Sequence, residues 1–164
     1  MAKFKPLPPL AELQEAFDYD QETGYLLRKV SSTQTHRIGK PAGSKDRKGY
    51  IRVKLYGKSF AAHRIIWYLC TGTDPLELEV DHIDRCKANN CFENLRLVTH
   101  LQNGQNVPAK GCWYSVREKK YKAAIRFNGS LFCLGTFPTC REAERAYREK
   151  AVELRGEFTP QEWL

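Results

Sequence analysis

No stretch of this 164-residue chain is apolar for long enough to cross a bilayer, which takes roughly 20 consecutive apolar residues. The opening residues, Met1-Ala2-Lys3-Phe4-Lys5, lack the apolar segment of a secretory signal. An intracellular protein with no membrane partner is therefore expected. There is no Cys-x-x-Cys among the six cysteines, Cys70, Cys86, Cys91, Cys112, Cys133 and Cys140. Paired zinc knuckles are thus absent and structural Zn²⁺ is not expected. In a reducing compartment the six should be thiols. No helix pattern stands out as a dimerisation surface, so a monomer is the expectation. Acid is also short: 19 Asp and Glu stand against 27 Lys and Arg, for a net charge of +8.

That charge is unevenly placed. Residues 1–60 hold twelve basic against six acidic residues, and residues 107–164 hold eleven against seven. The segment between, 61–106, reverses the balance, with four basic and six acidic. Basic flanks attract a phosphate backbone in a salt-dependent way. A slightly acidic centre suits a bound cation.

The central segment Glu79 to Asn103 reads EVDHIDRCKANNCFENLRLVTHLQN. A short strand ends in Asp81-His82, a loop follows, and Asn94 to Val98 reads as a second strand. Thr99 and Gln102 have capping-box spacing for a short helix carrying Asn103, and Pro108 limits its extent. Asp81 and Asn103 each offer a side-chain oxygen, as Mg²⁺ prefers, with water and phosphate filling the other positions. An imidazole titrates near working pH, so a neutral His82 can take a proton from water. Asn94 can hydrogen-bond across the loop and hold His82. His100 reads as a surface helix residue and Asn106 as a solvated helix end. One divalent ion is expected, Mg²⁺ first, with Mn²⁺ suited to the same oxygen donors.

This segment resembles the HNH nuclease motif in its His-Asn-Asn version, found in phage and intron homing endonucleases. The loop words Asp84 and Asn89-Asn90 and the strand start Asn94-Leu95-Arg96 match as well. The resemblance implies a ββα-metal core in which Asp81 and Asn103 bind the metal. It makes His82 the general base and Asn94 the brace of the loop. It also implies a phage or mobile-element origin, and hence the cytoplasm of a bacterial host.

Before the motif, Leu10 to Phe17 reads as a short helix with Leu10, Leu13 and Phe17 on one face. Asp18-Tyr19-Asp20 and Thr23-Gly24 read as turns, and Tyr25 to Lys29 as a strand. Ser31 to Lys48 is polar, basic and loop-like. Tyr50 to Leu55 alternates apolar and charged, turns at Tyr56-Gly57-Lys58 and returns through Ser59 to Ala62, a hairpin with a basic face. A helix follows from His63 and ends near Gly72. This layout resembles the small sheet before the motif in phage homing endonucleases. By that resemblance His63 and Arg64 lie near a bound strand; equally, they could cap and pack the helix.

After the motif come two strands, Lys110 to Arg117 and Tyr121 to Phe127. Asn128-Gly129 is a strong hairpin signal, and Ser130 to Phe137 returns as a third strand. Thr139 and Glu142 form a second capping-box pattern. The helix behind it places Ala143, Ala146, Tyr147, Ala151 and Leu154 on one face and ends at Gly156. By alternation Lys122, Ala124 and Arg126 share the sheet's outer face, while Ala123, Ile125 and Phe127 face the helix.

Leu134-Gly135-Thr136-Phe137, Glu142-Ala143, Ala146-Tyr147 and Arg155-Gly156-Glu157-Phe158 resemble the DNA-binding domain of the plant Apetala/ethylene-response type. That family lays its sheet in the major groove, which admits a β-ribbon. The resemblance makes Lys110, Trp113, Ser115, Arg117, Lys122 and Arg126 the DNA contacts. One departure stands out: Leu131 and Cys133 occupy third-strand positions where that family presents Arg and Trp.

The expectation is an α+β chain of two modules. Residues 1–106 form an HNH nuclease domain, a small antiparallel sheet and helix (1–78) leading into the ββα-metal motif (79–106). Residues 107–164 form a three-stranded antiparallel sheet packed on one helix. The expected activity is metal-dependent hydrolysis of double-stranded DNA, by nicking, with no small-molecule cofactor. The rivals are a non-catalytic DNA-binding regulator with an inactive site, and an RNA-binding protein. A sheet that reads the major groove suits B-form DNA better than A-form RNA.

Overall fold

The computed structural model describes residues 6–30 and 37–164. The chain divides into two compact units, 1–100 and 101–164, whereas the sequence suggested a boundary after residue 106. The fold is α+β, built from small antiparallel sheets and four α-helices among the described residues.

The first unit opens with α1 (Leu10–Ala16), which buries Leu13 and Ala16. Strands β1 (Phe17–Asp20) and β2 (Tyr25–Arg28) pair as a hairpin, Phe17 opposite Arg28. Asp18-Tyr19-Asp20 is thus strand, not turn; the turn comes at 21–24. Asp20 nucleates it, its carboxylate accepting from the Glu22 N–H at 3.0 Å and the Thr23 hydroxyl at 2.6 Å. The expected loop over 31–48 lies partly outside the described residues. In its remainder β3 (Ser44–Lys45) joins β4 (Ile51–Leu55), which pairs in turn with β5 (Lys58–Ala61). Val53 and Leu55 point into the core while Lys54 faces out, as the alternation requires.

Helix α2 (Ala62–Thr71) buries Ile65 and Ile66 and stops at Gly72, whose φ of 69° is the left-handed end that glycine favours. Strands β6 (Glu79–His82) and β7 (Leu95–Val98) form the last hairpin, with Asp81 opposite Arg96 and His82 opposite Leu95. Leu13, Phe17, Leu26, Val53, Ile65, Ile66, Val80 and Leu95 share one apolar core. Val80 anchors β6 in that core, and Asp81 and His82 follow it at the buried end of the strand. Only Thr99 separates β7 from α3 (His100–Gln105), the helix at the division between the units.

The second unit holds β8 (Cys112–Ser115), β9 (Lys120–Phe127) and β10 (Ser130–Phe137) in the order β10-β9-β8. Asn128 and Gly129 take φ of 47° and 82°, the two left-handed residues of a tight hairpin. Helix α4 (Cys140–Arg155) begins with the expected capping box between Thr139 and Glu142, a device whose loss costs about 1 kcal/mol. Ala143, Tyr147 and Ala151 are buried on the helix, and Ile125 on the sheet packs with Tyr147 and Ala151. Gly111 has no alternative: a Cβ there would lie 2.0 Å from the Tyr147 ring. Asn106, expected at a solvated helix end, is 2% exposed.

Candidate active site

Asp81 and His82 close β6 side by side and are both buried, at 9% and 3% exposure. A carboxylate at that depth needs a cationic partner. Arg96, directly opposite on β7, places Nε 3.2 Å and Nη2 3.1 Å from Asp81 Oδ2. Arg96 supplies the positive charge that this buried carboxylate requires.

His82 Nε2 lies 2.9 Å from Asn90 Oδ1. A carboxamide oxygen can only accept, so Nε2 is the donor; in a neutral imidazole this leaves Nδ1 as the basic nitrogen. The His63 ring stands edge-on to His82 with centroids 5.0 Å apart, and Tyr50 lies 6.1 Å away. Burial, reinforced by His82 and Arg64, pushes His63 down to about 3. It is a neutral wall beside His82, and its own Nδ1 has no hydrogen-bond partner among the described residues.

The loop from 83 to 94 is organised by Asp84 and Asn94. Asn94 Nδ2 donates to Asp84 Oδ1 and to the Asn89 carbonyl, both at 2.9 Å, and its Oδ1 accepts from the Asp84 N–H at 3.0 Å. Asn89 Nδ2 and the Cys86 N–H also donate to Asp84, at 2.8 and 2.7 Å. Burial raises the Asp84 carboxyl, but these hydrogen bonds outweigh it and hold its pKa below the usual carboxylate value. Asn94 thus ties the loop together, and Asn90 is the residue that grips His82.

The N-terminal hairpin supports the same loop. Tyr19 Oη donates to the Asn90 carbonyl at 3.3 Å and accepts from the Phe92 N–H at 2.8 Å. Gly24, at φ 72°, lets the β1–β2 turn approach so closely that a Cβ would meet Cys91 N at 2.6 Å and Asn90 C at 2.9 Å. The hairpin acts as a buttress behind the residue that orients the imidazole.

The other expected residues are placed as follows. Arg64 is 5% exposed and donates to the carbonyls of Leu76 and Leu78 and to Asp74, at 3.1, 3.2 and 3.4 Å. It ties α2 to the lead-in of β6, the packing alternative of its two readings. His63 is likewise interior. His100 is exposed, with Nδ1 2.9 Å from the Glu79 carboxylate. Asn103 is half-buried on α3.

In the second unit the outer sheet face carries Trp113 opposite Lys122 and Leu131 opposite Arg126. Trp113 is 51% and Leu131 57% exposed; Lys110, Arg117 and Arg126 are also exposed, and Ser115 is half-buried. Lys122 is paired with Glu118 at 2.6 Å. Sequence reasoning missed Asn90, Arg96 and Tyr19. Asn90 had a signal, standing eight residues after His82 in an Asn-Asn pair. Tyr19 had none, because its contact spans 71 residues.

Residues 60–105 match the family model described as HNH endonuclease. An uncharacterized HNH endonuclease, L560, of Acanthamoeba polyphaga mimivirus is 40% identical over 100 residues, 58% of this chain and 54% of the relative. DNA endonuclease I-HmuI of Bacillus phage SP01 is 36% identical over 88 residues, 51% of this chain and 46% of the relative. The chain spans about half the length of these curated relatives. A solved structure entitled DNA binding and cleavage by the HNH homing endonuclease I-HmuI aligns over 89% of this chain and 80% of that one, at 22% identity and a TM-score of 0.44.

Proposed function

We propose that this chain is a metal-dependent DNA endonuclease of the homing or phage type that nicks one strand of a duplex. The observation that carries the reading is the Asn90–His82 hydrogen bond beside the buried Asp81, inside the segment that matches the HNH family. It orients the imidazole, and Asp81, the residue before it, is a buried carboxylate of the kind a cation stabilises.

Asp81 and Asn103 would hold one Mg²⁺ or Mn²⁺ through side-chain oxygens. A bound divalent ion supplies charge stabilisation for the phosphoryl group and the departing oxygen. His82 accepts a proton from water at Nδ1 as the water oxygen attacks phosphorus. The P–O3′ bond breaks, and the departing 3′-oxygen takes a proton from solvent water, leaving a 5′-phosphate and a 3′-hydroxyl. Asn90 holds the imidazole through this step, and Asn94 keeps the loop closed beneath it. His63 excludes water from one side of the ring.

On this reading Lys110, Trp113, Ser115, Arg117, Lys122 and Arg126 hold the duplex on the outer face of the second unit, in the manner of the Apetala/ethylene-response fold. A monomer carries one site and so cuts one strand.

The test is supercoiled plasmid with Mg²⁺, comparing the wild type with His82→Ala and with EDTA present. Open-circle product from the wild type alone is expected. Linear product at the earliest times would show paired sites. Duplex binding without cleavage in any divalent metal would make the protein a DNA-binding regulator.

A further inference from the structure

Away from the candidate active site, one group of side chains has no part in the nuclease reading. Cys112 on β8, Cys140 at the start of α4 and Glu144 one turn further along α4 converge in the second unit. Their ligand atoms all lie within 4.8 Å of one another, the only such cluster among the described residues. Cys112 Sγ is 3.4 Å from Cys140 Sγ, and Cys140 Sγ is 3.4 Å from Glu144 Oε1. All three residues are half-buried. We propose that Cys112, Cys140 and Glu144 bind one borderline-soft divalent cation of the zinc class, with water completing the shell.

The donor chemistry selects the ion. Two thiolates and a carboxylate suit Zn²⁺, whereas Mg²⁺ takes oxygen donors. Sulfurs bound at about 2.3 Å in a tetrahedral shell stand about 3.8 Å apart, so the pair needs to open by only a few tenths of an ångström. Glu144 follows Cys140 by four residues and therefore shares its helix face. Cys112 pairs with Ala123 on β9, a residue buried on the helix side of the sheet, so its side chain turns toward α4.

Charge points the same way. Three groups that are anionic when deprotonated meet at one spot. A bound cation would neutralise such a cluster. A Cys112–Cys140 disulfide is the rival occupant of the same geometry, but it gives Glu144 no role. No Cys-x-x-Cys marks the site, because the two cysteines are 28 residues apart and are brought together by β8 packing on α4. A cation here would pin the edge strand carrying Trp113 and Ser115 to the helix behind it. Binding would release up to two thiol protons.

The test uses the full reduced chain and Co²⁺ as a spectroscopic substitute for Zn²⁺. One equivalent should produce the near-ultraviolet thiolate-to-cobalt band, and Zn²⁺ should abolish it. Cys112→Ser and Cys140→Ser should each lose the band, while Cys86→Ser and Cys91→Ser keep it. Glu144→Gln should keep the band with affinity weakened at least about tenfold, in line with loss of a charged ligand. Oxygen donors such as Asp81 give no thiolate band, so the result is independent of the nuclease reading. In the wild type, Zn²⁺ should protect Cys112 and Cys140 from alkylation but leave Cys86 and Cys133 reactive, a readout that needs no variant. Absence of the band in the reduced wild type would overturn the proposal. So would its survival in both serine variants, or a Cys112–Cys140 disulfide that persists in place of bound metal.

Discussion

Asn90 Oδ1 and His82 Nε2 meet at 2.9 Å in the interior of the first unit, where His82 is 3% exposed. The bond fixes both the tautomer and the plane of the imidazole. Asn90→Ala should lower the single-turnover cleavage rate about 10- to 100-fold, less than the 10²–10⁴ that a general base contributes. Asn90→Asp, which keeps an acceptor oxygen, should recover most of it. In a His82→Ala background the Asn90→Ala change should add nothing, because the two act as one unit. Additive losses would show that Asn90 works elsewhere.

Arg96 compensates Asp81 through a pair whose side chains are 13% and 10% exposed. Removing one member of a buried ion pair costs about 3–5 kcal/mol. Arg96→Ala should therefore lower thermal stability sharply in EDTA. Mg²⁺ should restore more stability to the variant than to the wild type, because it replaces the positive charge that Arg96 supplied to Asp81. Equal Mg²⁺ effects on both proteins would place the ion away from Asp81.

His63 is held at about 3 when folded, against 6.5 for an ordinary imidazole. Between those values the unfolded chain binds the extra proton, so stability rises with pH there. The contribution is complete above about pH 6.5 and is lost as pH falls toward 3, at up to about 1.4 kcal/mol per unit. Tyr50, His82, Arg64, Arg52 and Asp46 surround the ring or act on it. Asp84, with its carboxyl lowered from 3.8, adds loss only at lower pH. His63→Phe should flatten the unfolding profile between pH 4.5 and 6.5, measured by urea titration at each pH (values about those set by the imidazole range).

Salt dependence tests the sheet face. Arg126→Ala should weaken duplex binding uniformly across sequences and reduce the salt slope by about 1. Lys122 already has Glu118 at 2.6 Å, so Lys122→Ala should cost less. Glu118→Gln should tighten binding by releasing that lysine. An unchanged slope in Arg126→Ala would remove this face from the interface.

Much of this was legible in the sequence because local patterns carried it. Asn128-Gly129, the Thr139–Glu142 capping box and the alternation over Ile51 to Leu55 each specify structure within a few residues. Asp81 and His82 were legible for the same reason, lying together at the end of one strand. Asn90 was assigned to the loop, and Asn94 was expected to hold the imidazole. Both sit in the same Asn-rich segment, and which one reaches His82 depends on how the loop closes on Asp84. Tyr19 and Arg96 became visible only when distant strands paired. Arg64 shows the limit of local pattern: its sequence allowed a place near a bound strand or packing in the helix, and three partners on the β6 lead-in draw it inside.

The central claim is that Asp81, His82 and Asn103 serve one metal-dependent hydrolytic site. Its most direct test is the Mg²⁺ dependence of single-turnover cleavage on a fixed duplex, for wild type, Asp81→Ala and Asn103→Ala, with duplex binding measured in parallel. The account requires no cleavage in EDTA, near-abolition in Asp81→Ala, and in Asn103→Ala a curve displaced to higher Mg²⁺, all with binding retained. Cleavage that persists in EDTA, or Mg²⁺ curves that coincide in all three proteins, would contradict it.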